Sequence, residues 1–403
     1  MYETFDRDIL AYAPEARLAA AVGPRLGIVG GGQLARMTAM AALQLGCDVI
    51  VLERNRYSPA ATLATHSMVG DWDDVASLLA LAERADVITL ENEFVDAGAL
   101  AALERHGHTV LPRARTIALV QDKLTQKQTL QAAGLPVPRL EAVATPGEAA
   151  RVAGAFGWPV LLKARRNGYD GKGNATLRSP ADIPPAWEQL GGAAGQALFV
   201  EAFCDFAMEL AVIVTRGRDG QMVTYPVVET VQRHHVCHVV RAPAAVAPGV
   251  AERAADVARR AVEAVDAVGS FGVEMFLTRT GDIVVNELAP RVHNSGHYTI
   301  EGCDCSQFEN HVRAVLGWPL GSPRMVAPAA VMVNLFGTVR APGRPTGLDR
   351  ALDVPGAHVH LYGKAMSGAR RKMGHVTALG ASVPEAEAAA ARAAAHIEFG
   401  GSA

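Results

Sequence analysis

Short apolar runs alternate with amphipathic stretches over the first quarter of the chain, and this rhythm predicts a parallel sheet. We expect strands at 26–29, 48–52 and 86–90, with helices at 33–45 and near 73–83 between them. Strands that alternate with helices in this way form a mostly parallel sheet with helices on both faces. The fold class of the first domain is therefore α/β, and this domain is expected to be Rossmann-like.

The pattern changes after a helix at 122–133, which ends at Gly134 and runs into the linker sequence Leu-Pro-Val-Pro at 135–138. Hairpins and long helices follow, so the fold class becomes α+β. The further elements expected are helices at 145–156, 248–268 and 384–396 and strands at 330–335 and 358–361. The expected boundaries are an N-terminal extension at 1–24, a first domain at 25–120, a central domain at 121–325 with a subdomain near 155–210, and a small C-terminal domain at 326–403.

Two glutamates are predicted to face each other across a hairpin. Glu274 lies in the apolar stretch 271–277, and Glu287 follows a second apolar stretch after a turn at 278–282. A symmetric hairpin centred between Thr280 and Gly281 sets the two carboxylates about 5 Å apart on one face. They would repel unless a cation lies between them, and oxygen-only ligands favour Mg²⁺ over zinc. The alternative is two solvated glutamates, against which the apolar neighbours argue.

The hairpin leads into an unusually polar run, Asn-Glu-Leu-Ala-Pro-Arg-Val-His-Asn-Ser-Gly-His at 286–297. The run emerges from a buried strand, and burying such groups without partners would cost roughly 1–3 kcal/mol each. A bound ligand that satisfies these groups is therefore the interpretation we favour.

Two glycine-rich loops suggest anion binding. The first, at 30–35, fits G-x-G-x-x-A between a strand and a helix, with Glu53 ending the next strand, which is the dinucleotide fingerprint. The alternative is a loop that only packs helix on strand. The second follows the strand that ends at Lys163 and carries glycines at 168, 171 and 173 among several cations, so it is suited to covering phosphates. It lacks the spacing of a Walker A loop.

Composition narrows the class of protein. The chain has 403 residues, half of them hydrophobic, and a formal net charge of −3, which gives no reason to expect a nucleic-acid partner. Five scattered cysteines favour a reducing compartment. No apolar run approaches the ~18 residues of a membrane span, and the first 24 residues lack the apolar core of a secretory signal. We expect a cytoplasmic protein.

The motifs together resemble the ATP-grasp superfamily and, more narrowly, the N5-carboxyaminoimidazole ribonucleotide synthase family. The matching stretches, in family order, are 30–37, 91–95, 121–128, 163–174, 225–229, 286–301, 306–309, 361–364 and 370–375. The resemblance implies an ATP-grasp fold with a Rossmann-like pre-ATP-grasp domain, a lid subdomain near 155–210 and a small C-terminal domain. It also implies a homodimer and a reaction in which ATP, bicarbonate and aminoimidazole ribonucleotide give N5-carboxyaminoimidazole ribonucleotide, ADP and phosphate in purine biosynthesis.

The resemblance also implies roles for individual residues. ATP binding is expected from Lys123, Lys163, Gly168, Tyr169, Asp170, Gly171, Lys172, Gly173, Asn174, Glu201, Ala202, Phe203, Cys204, Glu209, Asn286 and Glu287, and Mg²⁺ binding from Glu274 and Glu287. Acceptor binding is expected from Gln33, Glu91, Tyr169, Arg291, His293, Asn294, Lys364 and Arg371. The expected catalytic residues are Asp170, which would handle the amine proton, and Arg291, His293 and Asn294.

Departures from the family and two other readings stay open at this point. Many relatives have arginine where this chain has Lys123, which exchanges a bidentate phosphate contact for a point charge. No role is assigned to Gln232, which stands where some relatives contact nucleotide with histidine. The alternatives are another ATP-grasp ligase, of the formate-dependent glycinamide ribonucleotide transformylase type, and a nicotinamide-binding oxidoreductase that uses the first glycine loop.

Overall fold

A four-stranded parallel sheet opens the computed structural model, which describes residues 23–168 and 173–400. Its strands are β1 (Arg25–Val29), β2 (Asp48–Glu53), β3 (His66–Val69) and β4 (Val87–Leu90), in the order β3-β2-β1-β4. Its helices are α1 (Gln33–Gln44), α2 (Val75–Ala82), α3 (Ala97–Arg105) and α4 (Ala114–Gln121). Separate apolar clusters cover the two faces, so the predicted layering is confirmed. Strand β3 was missed because it is a short edge strand whose residues stay partly exposed.

A smaller antiparallel sheet follows, in the order β5-β8-β6-β7. Its strands are β5 (Leu140–Val143), β6 (Val160–Ala164), β7 (Asn174–Leu177) and β8 (Leu198–Ala202). Helix α5 (Lys123–Ala132) precedes it, and α6 (Pro146–Phe156) and α7 (Ile183–Gln189) pack on it around their own apolar cluster. The residues between β6 and β7 form the second glycine-rich loop, and four of them, 169–172, lie outside the described residues.

The largest sheet has nine strands. They are β9 (Phe206–Arg216), β10 (Met222–Thr224), β11 (Val228–Arg233), β12 (Val236–Ala242), β13 (Gly269–Thr278), β14 (Ile283–Ala289), β15 (Ala329–Phe336), β17 (Ala357–Leu361) and β18 (Lys372–Gly380). The order is β14-β13-β9-β11-β12-β15-β18-β17, with β10 paired to β9. Strands from the last quarter of the chain therefore continue the sheet of the central region, joined where Val239 pairs with Val333.

The remaining elements are α8 (Pro248–Ala264), α9 (Thr299–Gly302), α10 (Gln307–Leu316), α11 (Leu348–Leu352), α12 (Val383–His396) and the short pair β16 (Pro345–Thr346) and β19 (Glu398–Phe399). Helix α8 covers β9, β13 and β14 through the largest apolar cluster. It ends four residues earlier than predicted because Asp266 takes a positive φ of 48° before β13 begins. Within the described part of the chain, no helix is both long and apolar enough to cross a membrane.

Candidate active site

The hairpin of β13 and β14 places Glu274 directly opposite Glu287, as predicted. The register differs near the turn, where Met275 pairs with Val285, so Asn286 is an extra residue that forms a bulge. Val285 and Leu288 are both fully buried in the core. Side chains alternate along a regular strand, so two residues three apart share a face only because of the bulge. The bulge thus turns both Asn286 and Glu287 away from the core.

The carboxylates on this face repel one another. Burial raises the pKa of Glu274, and the nearby carboxylates of Glu287 and Glu209 raise it further. Lys123 offsets part of this charge, since its Nζ lies 2.5 Å from Glu287 Oε1. No group of three or more His, Cys, Asp or Glu side chains in the described residues is arranged to hold a metal. The opposed carboxylates of Glu274 and Glu287 could supply part of a Mg²⁺ shell, which is commonly completed by water and substrate phosphates.

Lys163, predicted to contact phosphates, is bound to Glu201 at 2.6 Å. The same carboxylate also pairs with Lys127, which sequence reasoning missed. Burial lowers the pKa of Lys127 to about 8, and the neighbouring charge of Lys163 adds to that shift. The spacing of Lys127 could have indicated its burial, because Leu124, Lys127 and Leu130 share one buried face of the helix. Glu201 therefore acts in this structure as the anchor of two lysines.

The residues after Glu201, expected to bind ATP, lie at the end of β8 and in the connection that leaves it. Ala202 is the last residue of that strand, Phe203 is 47% exposed and Cys204 is half-buried. Glu209 lies on the site face of β9, diagonal to Glu274 in the register. Burial raises its pKa, which a hydrogen bond from Gln232 opposes. Gln232, to which no role was assigned above, therefore orients Glu209.

The first glycine loop does not present free amides to a dinucleotide. The Gly31 N–H donates to Glu53 Oε2 at 2.8 Å, and the Gly32 N–H donates to Glu91 Oε2 at 2.7 Å. A pyrophosphate would need these donors at the start of α1, and two carboxylates already occupy them. The interpretation of this loop as a nicotinamide site is therefore not supported. Glu91 lies at the start of α1, because it accepts the Gly32 N–H, and Gln33 is the first residue of that helix.

Arg291 is held by Glu93, another residue that the sequence analysis did not select. Its Nε donates to Glu93 Oε2 at 2.5 Å and its Nη2 donates to Oε1 at 3.1 Å. Burial would raise the pKa of Glu93, but the Arg291 guanidinium outweighs it and lowers that pKa to about 2. The pair joins the polar run after β14 to the first domain, so Arg291 has a structural partner as well as its expected ligand.

His293 points at the carboxylate pair. Its Nε2 lies 3.5 Å from Glu274 Oε1, and burial together with the Arg291 charge lowers the pKa of the imidazole to about 3. The ring is therefore neutral. The Ser295 N–H donates to Nδ1 at 3.4 Å, and the Ser295 hydroxyl lies 2.9 Å from the same nitrogen. Because Nδ1 accepts, the ring proton is on Nε2 and faces Glu274.

Asn294 is engaged by a second amide. Its Nδ2 donates to Asn334 Oδ1 at 3.1 Å, and Asn334 Nδ2 donates back at 2.8 Å. Asn334 lies on β15, paired with His375 of β18. The structure thus couples Asn294 to the C-terminal strands, a contact that no local sequence pattern announces.

The C-terminal cations lie near one another but have internal contacts. Lys364 Nζ donates to the Lys372 carbonyl at 2.8 Å, and the exposed Arg371 donates from Nη1 to the Met366 carbonyl at 3.0 Å. Lys372, which the sequence analysis did not choose, lies close enough for its charge to lower the pKa of His293. It belongs to β18 and reaches the site through the continuous sheet.

The second glycine-rich loop is only partly described. Tyr169, Asp170, Gly171 and Lys172 lie outside the described residues, whereas Gly168, Gly173 and Asn174 flank them. Arg165, one of the cations that lead into this loop, forms a bidentate pair with Asp122, and its Nη2 lies 2.6 Å from Oδ2. A cleft of about 420 Å³ begins at Gly168 and passes Arg166, Lys123 and Glu93. The described start of the loop therefore borders an open space beside Lys123, which pairs with Glu287.

Three domain families match the chain in order. The ribonucleotide synthetase preATP-grasp domain matches residues 24–121, and the ATP-grasp domain matches 128–308. The phosphoribosylaminoimidazole carboxylase C-terminal domain matches 330–389. The first family covers the parallel sheet, and the other two share the nine-stranded sheet, since β9 to β14 lie in the second match and β15, β17 and β18 lie in the third.

The chain is also similar to whole proteins. It is 45% identical over 364 residues to the N5-carboxyaminoimidazole ribonucleotide synthase of Synechococcus elongatus, covering 89% of this chain and 91% of that one. It is 42% identical over 366 residues to the chloroplastic phosphoribosylaminoimidazole carboxylase of Vigna aconitifolia, covering 90% of this chain but 65% of that longer protein. The structure of N5-carboxyaminoimidazole synthase from Aspergillus clavatus with ADP and 5-aminoimidazole ribonucleotide matches with a TM-score of 0.84 and 37% identity, covering 91% and 96% of the two chains.

Proposed function

The chain belongs to the N5-carboxyaminoimidazole ribonucleotide synthase family of ATP-grasp proteins, and from this premise we propose that it carboxylates 5-aminoimidazole ribonucleotide with ATP and bicarbonate. The products are N5-carboxyaminoimidazole ribonucleotide, ADP and phosphate, in purine biosynthesis. The observation that carries the proposal is the opposition of Glu274 and Glu287 beside Lys123 and His293. This arrangement suits the handling of phosphate charge next to a neutral hydrogen-bond donor.

ATP is proposed to lie across the face that carries Glu274 and Glu287, between the nine-stranded sheet and the smaller sheet β5-β8-β6-β7. Lys123 and Lys163 neutralise phosphate oxygens, Glu201 to Cys204 border the adenine, and Glu209 binds the ribose hydroxyls. Mg²⁺ would be held by Glu274 and Glu287 with phosphate oxygens, and it would neutralise charge during phosphoryl transfer. The raised pKa of Glu274 supports this fit, because a cation between the two carboxylates relieves their repulsion.

In this scheme a bicarbonate oxygen attacks the γ-phosphorus, which gives ADP and carboxyphosphate. The acceptor amine then takes the carboxyl group and phosphate leaves. The neutral His293 donates its Nε2 proton in a hydrogen bond to an anionic oxygen without adding charge. Asp170 is proposed to receive the amine proton. Catalysis of this kind depends on positioning and charge neutralisation in a site that excludes water.

The acceptor is proposed to lie where the three regions meet. Its contacts are Gln33, Glu91, Tyr169, Arg291, His293, Asn294, Lys364 and Arg371. The charge of Lys372 on His293 supports a position between the C-terminal strands and the polar run. We further propose the domain boundaries 25–120, 121–325 and 326–403, a homodimer, and a cytoplasmic location supported by five free cysteines.

A coupled assay of ADP release tests the reaction. We expect full activity only with ATP, bicarbonate and aminoimidazole ribonucleotide together, and loss of at least about 90% of the rate when one is omitted, since positioning of all three is needed. Formate with glycinamide ribonucleotide serves as the matched substrate pair for the competing ligase. Rapid ADP release with that pair, and none with the first, would refute the proposal.

ATP with Mg²⁺ should stabilise the protein, whereas NAD(H) should not. A ligand at 100 times its dissociation constant adds about 2.7 kcal/mol to the free energy of unfolding. Thermal unfolding followed by fluorescence measures the effect, with ATP and EDTA as the control for the metal. Equal stabilisation by NAD(H) would favour the oxidoreductase alternative. The structure argues against that alternative because Glu53 and Glu91 already accept the amides of the first glycine loop.

Arg371→Ala should raise the Michaelis constant for aminoimidazole ribonucleotide by more than about tenfold and leave that for ATP nearly unchanged, because a guanidinium suits a phosphate monoester. Steady-state kinetics with each substrate varied in turn measures this. Arg392→Ala, which removes an exposed arginine on α12, is the control. An equal loss for both substrates would show a role in folding, and no loss would remove Arg371 from the acceptor site.

A further inference from the structure

A single buried side chain holds the backbone of His293. Gln307, the first residue of α10, is fully buried. Its Oε1 accepts the His293 N–H at 2.9 Å, and its Nε2 donates to the His293 carbonyl at 2.7 Å. Because the backbone donor and acceptor are chemically distinct, the orientation of the amide is determined. The side chain thus pairs with residue 293 as a neighbouring strand would.

The same amide also reaches a second imidazole. Gln307 Nε2 lies 3.2 Å from His297 Nδ1, so Nδ1 is the acceptor and the ring proton of His297 is on Nε2. Burial lowers the pKa of His297, so the ring is neutral. The titratable and charged groups that face His297 are His293, Arg291, His360, Tyr362, Lys372 and His375.

Close packing also restricts the movement of His293 and of the Gln307 side chain. A Cβ at Gly272 of β13 would lie 2.5 Å from the His293 Cβ, and a Cβ at Gly296 would lie 2.6 Å from the Gln307 side-chain carbonyl. The strand therefore touches the imidazole on one side, while Gln307 touches the loop on the other. The Gln307 N–H is itself fixed, since it donates to Thr299 Oγ1 at 2.9 Å.

We propose that Gln307 is a positioning residue for the reaction, setting the place and orientation of His293 through its backbone while keeping His297 in one tautomer. The inference rests on the proposed function only in assigning His293 to the reaction. The hydrogen-bond geometry itself is independent of what the enzyme carboxylates. A displacement of about 1 Å at a reacting group can cost about 100-fold in rate, which is why a residue outside the substrate site matters.

Gln307→Glu is the informative change because it keeps the shape and removes the donor. A carboxylate can still accept the His293 N–H, but it repels the His293 carbonyl and offers nothing to His297 Nδ1. A proton on the new carboxyl group or on His297 restores one donor. The activity of the variant should therefore recover as the pH falls, whereas the parent lacks this acid recovery.

Asn310→Asp is the matched control on the same helix. Asn310 is also fully buried, and it grips Gly321 in the same way, with Gly321 N–H donating to Oδ1 at 2.7 Å and Nδ2 donating to the Gly321 carbonyl at 3.1 Å. It lies one turn beyond Gln307 and holds a loop distant in sequence from His293. Both variants bury a carboxylate, so general destabilisation should affect them alike.

We expect Gln307→Glu to lower kcat by about 100-fold at pH 8, with the Michaelis constant for ATP within about twofold of the parent and at least tenfold recovery of kcat by about pH 6. Asn310→Asp should show neither change. Identical kinetics and pH profiles for the two variants would overturn the proposal. So would a Gln307→Glu variant as active as the parent.

Nitrogen-15 NMR of labelled histidines separates this inference from the proposed reaction. In the parent, the His297 ring should show an unprotonated Nδ1, and its signal is assigned by comparison with His297→Gln. The Gln307→Glu variant should shift this signal, whereas Asn310→Asp should not. This readout needs no turnover. If the parent fails to use aminoimidazole ribonucleotide but the shift appears, the proposed function is refuted and the positioning role of Gln307 is retained. If turnover is as proposed and the shift is absent, the positioning role of Gln307 is refuted.

Discussion

Glu287→Gln should reduce kcat by at least about 1,000-fold, which corresponds to about 4 kcal/mol of transition-state stabilisation. Glu287 faces Glu274 and pairs with Lys123. The amide keeps the shape of the side chain but cannot supply the negative charge that a divalent cation needs. The measurement is the rate of ADP release under saturating substrates, with Mg²⁺ varied over a wide range. We expect the metal requirement to rise together with the loss of rate.

The control for this prediction is Glu263→Gln, an identical change at an exposed position of α8. It should leave activity and metal dependence as in the parent. Activity of Glu287→Gln within about threefold of the parent would contradict the metal assignment, because the ion is the largest local charge in such a site. Loss of rate with an unchanged Mg²⁺ requirement would instead assign Glu287 to orienting Lys123.

Glu93→Gln should destabilise the protein by about 3 kcal/mol at neutral pH, because the pKa of Glu93 is lowered from 4.5 to about 2 and each unit corresponds to about 1.4 kcal/mol. The folded-state pKa lies below the unfolded one. The stabilisation is therefore fully present above about pH 4.5 and is lost as the pH falls through about 2. Urea denaturation at several pH values measures it, and the variant should lose this part of the acid dependence.

A surface pair provides the comparison. Asp86 binds Arg25 through two side-chain contacts, but the two side chains remain 46% and 31% exposed. Asp86→Asn should therefore cost no more than about 1 kcal/mol. Equal effects of Glu93→Gln and Asp86→Asn would show that burial does not strengthen the Arg291 pair. Restored stability without restored activity in a Glu93→Leu, Arg291→Met double variant would separate packing from function.

Much of the architecture follows from local patterns. The alternation of apolar and polar residues places β1, β2, β4 and α1 within one or two residues of their observed bounds. The symmetric turn around Gly281 places Glu274 opposite Glu287. Periodicity of this kind is a property of neighbouring residues, so it is readable wherever one face of an element must be buried.

The register around the bulge at Asn286 depends partly on the local sequence and partly on tertiary packing. Counting residues across the turn gives the correct partner for Glu274, although the pairs nearer the turn are shifted by one. The shift becomes visible only when Val285 and Leu288 are both found in the core. Packing against α8 favours both apolar side chains, and one unpaired backbone position is the consequence.

The sequence by itself determined most of the element order in the first domain, the opposed carboxylates and, through its motifs, the family. The tertiary structure decided which polar groups already have partners. Glu53 and Glu91 take the amides of the first glycine loop, Glu93 takes Arg291, and Gln307 takes the His293 backbone. These partners lie between 14 and 198 positions apart in the chain. Spacing along a strand or helix reports only neighbours within about one turn or one hairpin, whereas the pairing of buried charges depends on which distant elements share one desolvated space.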